Sequence, residues 1–324
     1  MAKTFVLGGT GLLGFQTIKE LLAKGYEVKT IARKEKLMNQ MMPEEVEKHL
    51  GDINTLSDEE IVELLRDCDS FVYAAGVDER TIPQAPAEKF YYEQNVLPTQ
   101  RLARLSKRAG VKKFVIHGSY HVEFAEKWQD LNLFETEAYP RTRKLQEEIA
   151  FMEGGNEMDV MALRLPYIFG TMPGRTPLWK MFLPQVEGKD VVPVLQGGTA
   201  MVTVKQVAEA TVGALENGEH QKSYAICGEN MSYAEFYKII AEALEQEDTE
   251  IKVVPLEQMK PSFQKADEKL AYEGKERAIH AAQTAEMQNR GAYLDPKETM
   301  PVLNYQEDDI KEAIIESIKK AVNC

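Results

Sequence analysis

The sequence predicts an α/β protein: a doubly wound parallel sheet, followed by a smaller α/β substrate domain. Short apolar runs alternate with amphipathic helical patterns through the first half of the chain, and such alternation is typical of parallel βαβ units. Hydrophobic residues make up 44% of the 324 residues, enough for a sizeable core. We therefore predict a larger domain over residues 1–170 and a smaller substrate-binding region over residues 171–324, interleaved with the first.

In the first region, each predicted strand is an apolar run, and several predicted helices carry start or stop signals. Lys24-Gly25 closes the first helix, Ser57 caps a helix with an acidic first turn, and Pro140 suits the first position of another. The predicted strands lie at residues 5–7, 26–31, 46–52, 69–75, 112–117 and 159–165. The predicted helices begin near residues 12, 57 and 139, with a long helix over 87–109 and a loop around Trp128.

After Gly170 the composition changes, and residues 172–198 are rich in Pro and Gly, which predicts loops and short elements. Ile310, Ile314 and Ile318 recur four apart and predict a final amphipathic helix packed on the body. The elements predicted between them are strands at 201–204, 224–226 and 251–255 and helices at 207–215, 232–244 and within 261–290.

Composition excludes several classes of protein. The net charge of −13 argues against nucleic acid or an anionic membrane surface as the main partner. Cys68, Cys227 and Cys324 form no motif, which suits a reducing cytosol and offers no zinc site, and the histidines show no metal-ligand spacing. No apolar stretch approaches the roughly 18 residues that span a bilayer. We expect a cytoplasmic protein with a small-molecule substrate.

Three glycines stand between the first predicted strand and the first predicted helix. Gly8 allows a tight turn, Gly11 lets backbone N–H groups approach a diphosphate, and Gly14 lets the helix pack close to the strand. The helix start adds unpaired donors and partial positive charge. The spacing is G-x-x-G-x-x-G in a strand–turn–helix context. We interpret it as a Rossmann-type dinucleotide site; the alternative is a glycine turn without a ligand.

The end of the second predicted strand bears on the choice of cofactor. An acidic residue there would bind the ribose hydroxyls of NAD, whereas an arginine suits the 2′-phosphate of NADP. Positions 30–34 contain no Asp or Glu but include Arg33. The sequence therefore favours NADP, with NAD as the second choice. The alternative is that Arg33 belongs to a solvated turn.

The predicted acid–base chemistry rests on three residues. Ser119 follows the fifth predicted strand, and Tyr139 and Arg143 are four apart at a helix start, so they share one face. A tyrosine pKa of about 10 suits neutral pH only if a nearby cation lowers it. We interpret Ser119 as a ligand of the substrate oxygen and Tyr139 as the proton-transfer group. The alternative is that Tyr139 caps or packs a helix and that Arg143 is a surface charge. His121, close to Ser119 in sequence, is either a substitute acid–base group or a structural or substrate-facing residue.

These and further motifs, in this order, resemble the extended short-chain dehydrogenase/reductases, the NAD-dependent epimerase/dehydratase superfamily. The motifs, which cover most of residues 1–245, are GGTGLLG at 8–14, Asp52-Ile53, AAG at 74–76, Asn95 in YYEQNVLPT, Ser119 after FVIHG, the Tyr139 helix, LRLPYIFG at 163–170 and VTVKQVA at 202–208. The resemblance implies that Ser119 and Tyr139 are catalytic, with Arg143 as their charge partner. Besides Arg33, the cofactor-binding residues that follow from it are Gly8, Thr10, Gly11, Leu12, Leu13, Gly14, Asp52, Ile53, Ala74, Ala75, Gly76, Asn95 and Pro166.

The chain departs from the superfamily pattern at three places. Arg143 replaces the lysine of Y-x-x-x-K, and Lys144 stands roughly 100° further around the helix, so it does not simply replace that lysine. Glu123-Phe124 stand where many members have Tyr-Gly. Tyr167 replaces the asparagine of an R-x-x-N motif that nucleotide-sugar epimerases often carry, which counts against a UDP-sugar substrate.

Two functions follow from these patterns. The preferred one is an NAD(P)-dependent oxidoreductase or epimerase-like enzyme that transfers hydride between the nicotinamide and a small carbonyl or hydroxyl substrate. The alternative is an NADP(H)-binding regulatory or scaffold protein with weak or lost catalysis, which the Arg143 substitution allows. The superfamily often pairs through helices that correspond to residues 87–109 and 139–153, so a homodimer is one expected assembly.

Overall fold

A computed structural model describes residues 2–323, and it confirms the predicted fold class. Among these residues, seven parallel strands form one sheet in the order β10-β6-β5-β4-β1-β2-β3. These strands are β1 (Lys3–Leu7), β2 (Glu27–Ala32), β3 (Glu47–Leu50), β4 (Ser70–Tyr73), β5 (Lys113–Ser119), β6 (Asp159–Leu165) and β10 (Lys222–Ala225). The strand order reverses between β1 and β4, so the crevice at their carboxyl ends is where a ligand is expected.

The strands that follow β6 in the sequence, apart from β10, form two smaller sheets. One contains antiparallel and parallel pairs, β7 (Tyr167–Phe169), β9 (Gly198–Thr203) and β11 (Glu229–Ser232), in the order β11-β9-β7. The other pairs β8 (Val191–Val194) with β12 (Glu250–Val253) in parallel.

Helices cover both faces of the large sheet and surround the smaller ones. They are α1 (Leu12–Ala23), α2 (Glu35–Met41), α3 (Asp58–Leu65), α4 (Ala87–Tyr91), α5 (Leu97–Ala109), α6 (His121–Lys127), α7 (Leu133–Thr136), α8 (Ala138–Gly154), α9 (Leu183–Val186), α10 (Val204–Asn217), α11 (Tyr233–Ala243), α12 (Leu256–Tyr272), α13 (Ala281–Arg290), α14 (Met300–Leu303) and α15 (Ile310–Val322). Within residues 2–323, no helix has both the length and the apolar character needed to cross a membrane.

Local sequence signals explain several of these boundaries. Reciprocal capping boxes start α3 at Ser57, α10 at Thr203 and α11 at Ser232, each with Glu or Gln three residues later. The central strands carry apolar residues on both faces because helices cover both faces of the sheet. Phe71 and Phe114 stack across β4 and β5 with ring centroids 4.7 Å apart.

Three details of the predicted elements were wrong. Pro140 is the third residue of α8, not the first, and it is tolerated because the first helical N–H groups have no intrahelical partner. The predicted loop around Trp128 contains α6 and α7, which are stabilised by burial of Phe124 and Leu133. The predicted helix 87–109 is interrupted by a π-helical turn at Tyr92–Val96, next to Pro98, which cannot donate a backbone hydrogen bond.

Two elements that follow residue 170 pack with elements that precede it, and the interleaving of the two regions stays a prediction. Strand β10 pairs with β6 at the edge of the large sheet, and α10 packs against α1. The large sheet therefore includes one strand that comes after residue 170. The division at residue 170 itself stays a prediction.

Candidate active site

The glycine turn lies at the carboxyl end of β1, pressed against the end of β4. Gly8 has φ of +91°, and a Cβ added there would lie 2.5 Å from the Ala74 carbonyl oxygen. A Cβ on Gly14 would lie 2.2 Å from the Gly8 carbonyl oxygen. The Gly11 amide donates to that same carbonyl at 2.8 Å. A side chain is therefore sterically excluded at Gly8 and at Gly14.

The start of α1 is open to an anion. Gly11 is its N-cap, without a side-chain capping bond, and the first turn contains no acidic residue. The amide groups of this turn and the partial positive charge of the helix suit a diphosphate. Thr10 and Leu12 lie in this turn and are partly exposed, whereas Leu13 packs against the core. The turn fits the dinucleotide that the sequence predicts.

Three residues predicted to surround the adenosine half follow the neighbouring strands β2 and β3. Arg33 follows β2 with an exposed side chain that forms no ion pair with any described residue. Asp52 follows β3, and its carboxylate accepts the Asn54 amide at 3.0 Å. Ile53 is buried in the core beside the sheet. These positions lie at the predicted edge, and the contacts with cofactor stay predictions.

The strand end at Ala74, Ala75 and Gly76 is held by Asn95. The Asn95 side chain donates to the Val77 carbonyl at 2.9 Å and accepts the Val77 amide at 2.8 Å. Gly76 has φ of +132°, and a Cβ there would lie 2.9 Å from Asn95 Oδ1. Asn95 thus positions the loop that borders the predicted cofactor site, and its own amide is already occupied.

Three side chains converge at the end of β5. The Ser119 hydroxyl lies 3.0 Å from His121 Nδ1. The rings of His121 and Tyr139 pack edge-to-face with centroids 5.8 Å apart. The three side chains come together because α8, which carries Tyr139, packs against β5 and α6. The structure therefore brings together Ser119 and Tyr139, and it adds His121 between them.

Arg143 lies directly beside Tyr139. Its guanidinium carbon is 5.1 Å from the centre of the Tyr139 ring, and Nη1 donates to Gln146 Oε1 at 2.6 Å. Gln146 in turn donates to Thr99 at 2.8 Å. A Cβ on Gly76 would lie 3.8 Å from Arg143 Nη1, so the guanidinium borders the predicted cofactor site. Arg143 Nε is buried and has no hydrogen-bond partner among the described residues.

The Tyr139 pKa shows that burial outweighs the nearby cation. Burial raises the pKa of the Tyr139 hydroxyl to about 12, although the Arg143 charge acts in the opposite direction. Burial and the Arg143 charge lower the pKa of His121 to about 3. Tyr139 is therefore a protonated acid at neutral pH, and His121 is a neutral ring. The Arg143 charge lowers the pKa of Tyr139, as predicted. In the protein without cofactor it does not offset the increase that burial causes.

Glu123, one of the sequence departures, belongs to a charge network behind the site. Arg164 is buried and binds Glu147, Glu123 and Glu126, with its closest contacts to each at 2.7–2.8 Å. Glu123 therefore has a structural partner. Lys144 pairs with Glu126 at 2.7 Å, which confirms that it does not take the place of Arg143.

The third departure, Tyr167, belongs to a row of aromatic rings that leads away from His121. Tyr120 packs edge-to-face on His121 at 4.8 Å, and the Tyr167 ring is 6.4 Å from Tyr120. Tyr167 stacks on Trp179 at 5.0 Å. Pro166, predicted to touch the cofactor, is buried between β6 and β7, just before this row.

Sequence reasoning missed two side chains near the site. Gln146 is seven residues after Tyr139, so helical periodicity could have placed it on the same face. Glu79 lies on the loop after β4, between Asp78 and Thr81 in the sequence. The Tyr91 hydroxyl donates to the carbonyls of Asp78 and Thr81 at 3.0 Å and 2.7 Å. Burial, with the Asp78 charge, raises the pKa of Glu79. Its position after a strand end was the available signal.

Two curated proteins match about three quarters of the chain. The chain is 24% identical to sterol demethylase protein B of Methylococcus capsulatus over 251 residues, 74% of each protein. It is 24% identical to a decarboxylating sterol-4-alpha-carboxylate 3-dehydrogenase of Dictyostelium discoideum over 259 residues, 73% of this chain and 75% of that protein.

The fold has solved counterparts. UDP-glucuronic acid 4-epimerase from Bacillus cereus, in complex with NAD, superposes with a TM-score of 0.69 at 14% identity, over 99% of this chain and 98% of that one. The NAD dependent epimerase/dehydratase family matches residues 4–227, which include the glycine turn, Ser119, Tyr139 and β10. The chain belongs to this family and is an NAD(P)-dependent enzyme of the epimerase, dehydratase or dehydrogenase type.

Proposed function

We propose that this protein transfers hydride between a nicotinamide cofactor and a small carbonyl or hydroxyl substrate. The observation that carries the proposal is the convergence of Ser119, His121 and Tyr139 at the end of β5, with Arg143 between Tyr139 and Gly76. A proton-transfer group thus lies beside the strand ends that suit a dinucleotide. Family membership supports the same class of reaction.

A nicotinamide cofactor held by the glycine turn at Gly8–Gly14 would supply or accept the hydride when bound. Tyr139 exchanges a proton with the substrate oxygen, and Ser119 donates a hydrogen bond to that oxygen. The raised pKa of Tyr139 keeps its hydroxyl protonated at neutral pH, which is the state that donates to a carbonyl during reduction. His121 orients the Ser119 hydroxyl at 3.0 Å. Arg143 provides the positive charge that favours the phenolate after proton transfer.

The aromatic row formed by Tyr120, Tyr167 and Trp179 supports an apolar carbon frame in the substrate. The named sterol relatives act on substrates of that kind, whereas Tyr167 replaces the asparagine typical of nucleotide-sugar enzymes. We therefore place small cyclic ketones and alcohols ahead of UDP-sugars as candidates.

We propose NADP as the preferred cofactor, with NAD as the second choice. The exposed Arg33 at the end of β2 is free of ion pairs with described residues and suits a 2′-phosphate. The cytoplasmic location stays a prediction. A homodimer through α5 and α8 is supported by exposed apolar side chains on those helices, Leu97, Leu145 and Met152.

The central test is Tyr139→Phe. With NADPH and a panel of cyclic ketones, aldehydes and one UDP-sugar, we expect the substitution to lower kcat at least about 100-fold because the proton donor is lost. The measurements are NADPH oxidation by absorbance and NADPH affinity by fluorescence, and affinity should stay within twofold. Tyr92→Phe, at an exposed ring, is the matched control.

The same experiment separates the alternative function. Tight NADPH binding by the wild type, without turnover of any panel member, would favour a regulatory or scaffold role. Turnover that survives Tyr139→Phe would instead remove Tyr139 from the mechanism while leaving the enzyme assignment intact.

A further inference from the structure

The loop at residues 171–177 brings a cation to the glycine turn. Arg175 Nη1 lies 3.9 Å from the position that a Cβ on Gly11 would occupy. This is the space that the missing side chain of Gly11 leaves for a diphosphate. The Arg175 side chain is exposed, and no carboxylate of residues 2–323 pairs with it. The sequence motifs gave no sign of this residue.

Hydrogen bonds hold the first end of the loop to α15 and the segment beyond its other end to the Ile168 carbonyl. The Gly170 amide donates to the Ser317 hydroxyl of α15 at 3.1 Å, and Lys320 of α15 donates to the Met172 carbonyl. Beyond the loop, the Trp179 indole donates to the Ile168 carbonyl at 2.6 Å. Gly174, next to Arg175, has φ of +68° and open space around it. The loop is therefore anchored on both sides of Arg175, whose side chain reaches the glycine turn.

The charges at this contact favour an anion as a third group. The start of α1 carries partial positive charge and has no acidic residue in its first turn, so a guanidinium beside it is unfavourable. A diphosphate between the two would pair with both, because it accepts from the backbone amides on one side and from a guanidinium on the other.

We propose that Arg175 clamps the diphosphate of the bound dinucleotide against the glycine turn, and so couples the 171–177 loop and α15 to cofactor binding. The proposal rests on the dinucleotide binding that the proposed function requires. Because the diphosphate is common to both cofactors, the clamp acts on NADH and NADPH equally. It differs in this respect from Arg33, which is expected to discriminate between them.

Affinity measurements on the full-length protein test the clamp. We compare wild type, Arg175→Ala and Arg175→Lys, with Arg104→Ala as a control that removes one exposed, unpaired arginine from α5. Arg175→Ala should weaken NADH, NADPH and ADP-ribose by the same factor of about ten, the usual scale of one charge-assisted contact. Arg175→Lys should retain part of the affinity, and Arg104→Ala should match wild type.

Hydrogen–deuterium exchange provides a second measurement that does not depend on activity. ADP-ribose should slow exchange in residues 171–177 of the wild type, and should slow it far less in Arg175→Ala at matched saturation. Equal affinities of wild type and Arg175→Ala, or a loss confined to NADPH, would overturn the clamp. A wild type that binds none of the three nucleotides would instead overturn the proposed function, so the two failures are distinct.

Discussion

The proposed preference for NADP depends on one residue, Arg33. Its neighbours at the end of β2 include no carboxylate that would favour the ribose hydroxyls of NAD, and its guanidinium is exposed. Lys36, the second residue of α2, carries the same charge and is also exposed. The two positions therefore separate a specific contact from a general effect of positive charge.

We predict that Arg33→Ala raises the Kd for NADPH about tenfold or more and changes the Kd for NADH less than twofold, because only NADPH carries the 2′-phosphate. Fluorescence titration measures both constants. Lys36→Ala should change neither by more than twofold. Equal weakening of both nucleotides by Arg33→Ala would show that Arg33 does not read the 2′-phosphate.

At the scale of elements, the start of α8 is held by a contact that is remote in sequence. Glu137, the residue before α8, is buried and accepts from the His280 amide at 2.7 Å and from its ring Nδ1 at 3.0 Å. The Tyr139 amide donates to the Ala278 carbonyl at 2.9 Å. Residues 278–280 therefore fix the first turn of α8, and with it the position of Tyr139.

This contact predicts a pH-dependent part of the stability. The hydrogen bond to Glu137 raises the pKa of His280, against a smaller opposing effect of burial. The protonated ring is thus favoured in the folded state. Its contribution is complete below the unfolded pKa of about 6.5 and is lost as pH rises through the higher folded value.

We expect His280→Asn to lower the free energy of unfolding, and to lower it more at pH 5.5 than at pH 8.5. The difference between the two pH values should be on the order of 1 kcal/mol, because the ring is partly exposed and solvent screens the pair. Urea denaturation at both pH values measures it. The same difference at pH 5.5 and pH 8.5 would show that His280 does not titrate against Glu137.

At the scale of the whole molecule, α15 joins the smaller sheets to the loop above the glycine turn. Ile314 and Ile318 are fully buried against α11 and β7, as their spacing of four predicts. Ser317, on the same helix, holds Gly170. The last helix of the chain therefore supports the segment that carries Arg175, more than a hundred residues earlier.

Shortening a buried side chain of α15 should lower the stability of the protein. Ile318→Ala is expected to lower the free energy of unfolding by about 2–5 kcal/mol, because it leaves a cavity in a packed core. Val322→Ala, at an exposed position on the same helix, should cost less than about 1 kcal/mol. Chemical denaturation of both variants tests this, and similar values for the two would show that α15 is not packed as described.

Local sequence was sufficient for the strand–turn–helix at Gly8–Gly14, the capping signal at Ser57, the alternation of strands and helices, and the stripe on α15. In each case the cause lies within a few residues: steric exclusion of a Cβ, a side-chain cap, or a hydrophobic period. The same-face relation of Tyr139 and Arg143 also follows from one helical turn.

Packing between distant segments decided the rest. Four features depend on contacts that no periodic pattern in the sequence indicates. They are the placement of β10 in the large sheet, His121 between Ser119 and Tyr139, the contact of Glu137 with His280, and Arg175 beside Gly11. The raised pKa of Tyr139 belongs to this group, because burial of the hydroxyl depends on elements from three parts of the chain that exclude water together.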